Sequence, residues 1–294
     1  MHADEFRADA GLVGRLLVAQ FPRWAALPLR PFASAGTDNT IYRLGDDLCV
    51  RLPLRGSAAP LVEKECAWLP RFPALPLTIP TPLAMGEPSE DYPWRWSVVS
   101  WIPGTPATID RIDDPDLAAR KLADFLRALQ AIDAASGPPS GPQNHFRGVP
   151  MRVLDGRTRP AISNLADEID VAAATALWEA ALAAEVWSGP PVWVHGDLQP
   201  GNMLAREGRI AAVIDFGLSG VGDPACDLIA AWTLLPPASR IVFRTALDVD
   251  DSTWMRGRGW ALYAGVIALD YYRESNPSLA ASCRRTLRSV LADA

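Results

Sequence analysis

The chain has 294 residues, 49% of them hydrophobic and 21% charged, with four cysteines and 27 prolines. That composition excludes collagen-like, disulfide-stapled and tail-like disordered architectures, and leaves one large domain or two modest ones with ample chain for a buried core. Twenty-eight basic against 34 acidic side chains, a formal net charge of −6, argue against nucleic-acid backbones and anionic membranes as partners.

Asp4, Glu5 and Asp9 interrupt the opening segment, so it does not read as a secretion signal. The apolar stretches 172–187 and 228–235 are broken by Glu179 and Glu185 or too short to span a bilayer. The expectation is a soluble cytoplasmic protein. Cys49, Cys66, Cys226 and Cys283 lack the close spacing of zinc or redox motifs and read as reduced, packed thiols. Residues 32–35, 40–44 and 48–52, separated by Gly- and Asp-rich turns, read as a strand meander. A short helix is expected over 63–69, after which prolines between Pro70 and Pro82 mark joints. A buried strand follows over 94–102 and ends at Pro103-Gly104. Beyond that break the chain turns alanine- and leucine-rich, with helical periodicity over 115–135, 162–187, 254–272 and 277–291 and a cap at Asp114 before Pro115. The linking segment 136–150 looks mobile, yet exceeds what a routine connection needs and so reads as functional.

The informative stretch is VWVHGDLQPGNML, a Glu207-Gly208 turn, then IAAVIDFGLSGVGDPACDL. A strand ending at Val194 enters the loop 195–202, and a hairpin over 203–214 returns the chain to Asp215-Phe216-Gly217, gathering Asp197, Asn202 and Asp215 at strand ends. Phosphoryl transfer needs a carboxylate to orient the attacking hydroxyl and oxygen ligands to hold magnesium across the phosphates. Asp197 supplies the first, as catalytic base, and Asn202 and Asp215 the second, as Mg2+ ligands. H-x-D-L-x-x-x-N followed at hairpin distance by D-F-G is a specific pair of motifs in the right order.

On these residues the chain resembles the aminoglycoside phosphotransferase family, kinase-like enzymes that phosphorylate small molecules. Gly196, where protein kinases usually carry arginine, points to that branch, as does Gly222-Asp223-Pro224 with Asp227 and Leu228. The resemblance implies an α+β, bilobal protein-kinase-like fold: a small antiparallel-sheet N-lobe over residues 1–102 that binds nucleotide, and a mainly helical C-lobe over 103–294 with the catalytic loop and acceptor site. It places the phosphate-covering turn at Ser34 and Gly36 and the phosphate-gripping position at Arg51, where the family carries lysine, with Glu65 as its partner and Glu63 as the fallback. The adenine-reading hinge falls on the Ser100 carbonyl and the Ile102 amide. The implied donor is ATP or GTP. The implied acceptor is a small hydroxylated molecule, most directly an aminoglycoside-type antibiotic, with antibiotic resistance as the consequence. A metabolic acceptor such as choline, homoserine, a thiosugar or a macrolide is the alternative, and an inactive nucleotide-binding module the rival from another class. A monomer or homodimer is expected.

His195 reads as a buried hydrogen-bonding residue, not a base, and Asp227 as a structural partner of loop backbone. Trp68, Trp178 and Trp232 fall at apolar helix positions and read as core. For the acceptor, Asp155, Asp167, Glu168, Asp170, Asp270 and Glu274 are the available carboxylates, and Trp260, Tyr263, Tyr271 and Tyr272 the available walls.

Overall fold

A computed structural model describes residues 5–33 and 38–293. Helix α1 (Ala10–Gln20) opens on Asp9, whose Oδ1 accepts from the Leu12 amide at 2.8 Å. It packs Leu12, Val13, Leu16 and Leu17, one helical face, into the smaller of two cores, together with Leu44, Val50, Leu52 and Trp96 of the sheet. The sheet has the order β1-β2-β3-β5-β4 and is antiparallel throughout: β1 (Leu29–Phe32), β2 (Asn39–Leu44), β3 (Leu48–Pro53), β4 (Pro82–Gly86) and β5 (Trp96–Ser100). The meander is present, but its first strand begins at Leu29, because Leu29 pairs with Leu44 at the far end of β2. Strand β4 hides in the sequence behind its proline. At the outer edge of the sheet a residue without an amide donor breaks no ladder bond. The expected strand over 94–102 narrows to β5.

Helix α2 (Ala59–Trp68) starts four residues ahead of the expected Glu63, with Pro60 tolerated in its first turn. It buries Glu65 along with Leu61 and Val62. A buried carboxylate on a helix face needs a partner.

The remainder is mainly helical. Three short strand pairs frame the catalytic loop: β7 (Val192–Val194) with β10 (Gly220–Gly222), and β8 (Met203–Arg206) with both β6 (Thr105–Pro106) and β9 (Arg209–Val213). Helix α3 (Pro115–Gln130) is capped by Asp114, which accepts from the Leu117 amide at 2.9 Å, and stops five residues short of 135. The run 162–187 is not one helix. It divides into α4 (Asp155–Asn164) and α5 (Val171–Ala183), because Asp170 turns its side chain onto the Ala173 amide and starts a new helix. Helices α6 (Ala230–Thr233), α7 (Pro237–Leu247), α8 (Asp251–Tyr272) and α9 (Pro277–Leu291) complete the lobe.

Trp178 and Trp232 are buried in the large core, while Trp68 lies half-buried on its rim, 5.1 Å from Trp193. Leu69 and Leu77, between α2 and β4, belong to this larger core. Thr78 donates to the Ala211 carbonyl and accepts from the Val213 amide, which stitches that connection to β9. Segment 136–150 is held, not loose: Val221 donates to the Pro138 carbonyl, Ser140 to the Val221 carbonyl and Asp223 to the Gly148 carbonyl. All four cysteines are free. Among the described residues no helix is long and apolar enough to cross a membrane.

Candidate active site

The loop after β7 owes its shape to Gly196 and Asp227. Gly196 has φ +84°, and a Cβ there would stand 2.7 Å from the Leu218 carbonyl, so the position admits glycine alone. Asp227, fully buried, accepts the His195 and Gly196 amides at 2.7 Å each. Burial pushes its carboxyl up, against the pull of His195 and of those two bonds. His195 Nε2 meets the Ile214 carbonyl at 3.0 Å, and Nδ1 accepts the Asp197 amide at 3.2 Å. Since a carbonyl can only accept, the proton sits on Nε2 and the ring is fully engaged by backbone. This is the structural role read from the sequence.

Asp197 is half-buried. Its Oδ1 accepts from Gln199 at 2.5 Å and its Oδ2 from the Asn202 amide at 2.8 Å. Two neutral amides therefore aim the carboxylate, and no cation pairs with it among the described residues. The Asn202 amide nitrogen also donates to the Asp197 carbonyl at 3.0 Å, so both of these bonds use Nδ2 and leave Oδ1 out of them. Ile214 donates to the Asn202 carbonyl at 2.8 Å, which ties the residue before Asp215 to the backbone of Asn202. Asp215 has φ 65°, a left-handed backbone that is costly for a non-glycine residue and typical of functional sites.

A buried ion-pair chain joins the lobes. Arg51 on β3 donates to Glu65 on α2 at 2.6 Å and to Asp215 at 3.2 Å, and Glu65 Oε1 accepts the Phe216 amide at 2.8 Å. Burial opposes the Arg51 charge, but Glu65 and Asp215 outweigh it and hold the guanidinium protonated. Burial likewise drives the Glu65 carboxyl up, and Arg51 and the Phe216 amide resist it. Glu63 pairs instead with Arg95 at 3.4 Å. Ser100 closes β5, exchanging bonds with Thr81 through its amide and hydroxyl. Trp101 donates to the Asp47 carbonyl and stands between Arg43 and Phe32, on the rim just before Ile102. Ser34 and Gly36 lie outside the described residues.

Carboxylate and amide oxygens without sulfur or imidazole suit a hard cation such as Mg2+. Asp215, with its side chain 44% exposed, and the free oxygen of Asn202 fit that ion.

Three residues near this cluster escaped the sequence reading. Lys64, next to Glu65, donates to the Ser219 carbonyl at 2.8 Å, and burial holds its ammonium down to about 8. His145, given no role from sequence, lies within electrostatic reach of Asp197 and Asp38; burial, Arg147 and Lys64 keep its imidazole below the usual range. Arg147 runs directly past Gly196, its Cβ and Cγ 3.0 Å from where a Cβ on that glycine would stand. None of the three sits in a motif, and only folding brings them to the loop.

Five of the six carboxylates expected around the acceptor are already engaged. Asp155 accepts from Trp178 and Arg159, Asp167 meets Arg273, Glu168 pairs with Arg284, Asp170 caps α5, and Asp270 accepts from Asn164. Of the aromatic candidates, Trp260 is in the core, Tyr271 and Tyr272 meet edge-on at the end of α8, and Tyr263 faces Arg147.

An antiparallel sheet with an Arg–Glu pair, set over a helical lobe with this loop, defines a bilobal kinase-like fold. The chain belongs to the phosphotransferase enzyme family, whose profile matches residues 29–265. In fold it is similar to the GDP complex of wild-type aminoglycoside 2'-phosphotransferase-IIIa, with a TM-score of 0.72 at 17% identity over 97% of this chain and 99% of that one. It is similar to an aminoglycoside phosphotransferase solved with GDP and kanamycin, at TM-score 0.73 and 18% identity over 95% and 98% of the two chains. A macrolide 2'-phosphotransferase from Brachybacterium faecium aligns at TM-score 0.61 and 23% identity, over 95% of this chain and 98% of that one. No curated protein matches the sequence.

Proposed function

We propose that the protein moves the γ-phosphate of ATP or GTP onto a hydroxyl of a small molecule, with Asp197 as the base. The observation that carries this reading is the Asp197 carboxylate, aimed by Gln199 and Asn202 and left without a cation among the described residues. The acceptor oxygen attacks the γ-phosphorus, its proton passes to Asp197, and the bond to the β-phosphate oxygen breaks to release the nucleoside diphosphate. Arg51, fixed by Glu65, grips the α- and β-phosphates; as a planar fork in the family's lysine position it offers two donors instead of a point charge. The Ser100 carbonyl and Ile102 amide read the base. Asn202 and Asp215 would hold Mg2+, which would supply charge neutralisation for the phosphates. Incubating the protein with Mg2+, ATP or GTP and candidate acceptors, with product mass as the readout, tests the proposal. Asp197→Asn should abolish product while nucleotide still binds. Nucleotide binding without transfer to any acceptor marks an inactive module.

Kinship puts an aminoglycoside first among acceptors, and the kanamycin-bound neighbour supports that choice. The engaged carboxylates favour a second reading, because an acidic wall already neutralised by Arg159, Arg273 and Arg284 attracts a polycation weakly.

A further inference from the structure

The charges left over beside Asp197 are positive. Several arginines of the helical lobe pair with acids, Arg159 with Asp155 and Glu179, Arg256 with Asp223, Arg284 with Glu168 and Arg240 with Asp293, while others, Arg120, Arg152 and Arg157 among them, make no ion pair among the described residues. Arg147 has no such partner among the described residues, and its Nε is buried with no hydrogen bond. Its guanidinium carbon lies 5.9 Å from the centre of the Tyr263 ring on α8, and its stem lies against Gly196, the residue before Asp197. Asp227, the buried carboxylate of that loop, is engaged by two backbone amides.

The backbone holds Arg147 in place. Its amide donates to the Asn144 carbonyl at 3.1 Å, and its carbonyl accepts from the Asn144 side chain at 2.9 Å. The two residues before it, His145 and Phe146, are both left-handed, at φ 52° and 63°. A strained turn that presents a half-buried guanidinium without its counter-ion is costly to keep for packing alone, and becomes favourable once an anion arrives.

We propose that Arg147, packed over Tyr263, forms an anion-binding subsite of the acceptor site, so that the preferred acceptor is a hydroxylated small molecule bearing a carboxylate or phosphate rather than a polycation. This rests on the phosphotransferase reading and narrows its substrate class.

The test uses the full chain with Mg2+ and ATP or GTP. It offers three acceptor pools: gluconate and glucuronate, glucose 6-phosphate, and the cations glucosamine and kanamycin, with phosphorylated products read by mass. Transfer to an anionic pool is expected, and the first two pools separate carboxylate from phosphate. Arg147→Met should lower kcat/KM for that acceptor by about tenfold or more, mainly through KM, and Arg147→Lys should restore part of it. The ligand-free Arg147→Met protein should melt no lower than wild type, because it loses an unpaired half-buried charge. Transfer to kanamycin alone, no product from either anionic pool while Mg2+–ATP binds, an unchanged KM in Arg147→Met, or a clearly lower melting point each overturns the subsite. Absence of Mg2+–ATP binding in calorimetry is a failure of the phosphotransferase reading itself and removes the subsite with it.

Discussion

The nucleotide side and the acceptor side of Asp197 handle charge in opposite ways. On the nucleotide side Arg51, Glu65, Asp215 and the Phe216 amide close a buried chain of bonds between residues as far apart as 164 positions, so the phosphate end is assembled by the fold itself. On the acceptor side three of the six carboxylates meet arginines and two are bonded by amides, and a charge without a partner among the described residues, Arg147, is carried by a locally strained turn. The contrast teaches that phosphate handling rests on long-range pairs that must survive together, whereas acceptor choice rests on one segment that can change without disturbing them.

The sharpest way to break the comparison is Asp197→Asn, expected to cut turnover by about 10²- to 10⁴-fold with nucleotide affinity kept. Near-normal steady-state rates would mean that neither side converges on this residue. Next comes Glu65→Ala, which leaves Arg51 with the half-exposed Asp215 and strips the Phe216 amide of its acceptor. Urea unfolding should show a loss of about 3–5 kcal/mol, and a loss under 1 would mean the pair between the lobes is not the anchor it is taken for. Gly196→Ala forces a side chain into a left-handed backbone against the Leu218 carbonyl. It should cost about 1–3 kcal/mol and displace Asp197, lowering kcat, which thermal melts and kinetics on the same preparation would check.

The smallest expected effect concerns Lys64, whose ammonium is held down to about 8 from its ordinary 10.5, chiefly by burial. Between those values the unfolded chain binds more protons than the folded one, so this group makes stability rise with pH across that window. Subtracting the Lys64→Met profile from wild type cancels the cysteines, which titrate nearby. With allowance for residual solvent, the difference should climb by about 1–2 kcal/mol. A flat difference would show that Lys64 is solvated and does not tie α2 to the Ser219 strand end.

Much of the catalytic end was legible in the chain because it is local. The loop His195 to Asn202 and the Asp215-Phe216-Gly217 turn flank the open end of a short hairpin, so motif order alone puts Asp197, Asn202 and Asp215 on the segments at that end. Helices α8 and α9 followed from periodicity in the same way. Strand β4 and the break between α4 and α5 did not, because an edge position can excuse a proline and a capping aspartate can outweigh a continuous apolar run.

By itself, then, the sequence determined the kinase-like class, the motif residues Asp197, Asn202 and Asp215 and the arginine at position 51, since each is carried by residue type at short spacing. Only the tertiary structure decided which carboxylates are already neutralised and that Arg147 stands by Gly196 without a partner. Those facts depend on side chains dozens of residues apart meeting in a low-dielectric interior, where a charge is defined by its neighbours and not by its place in the chain.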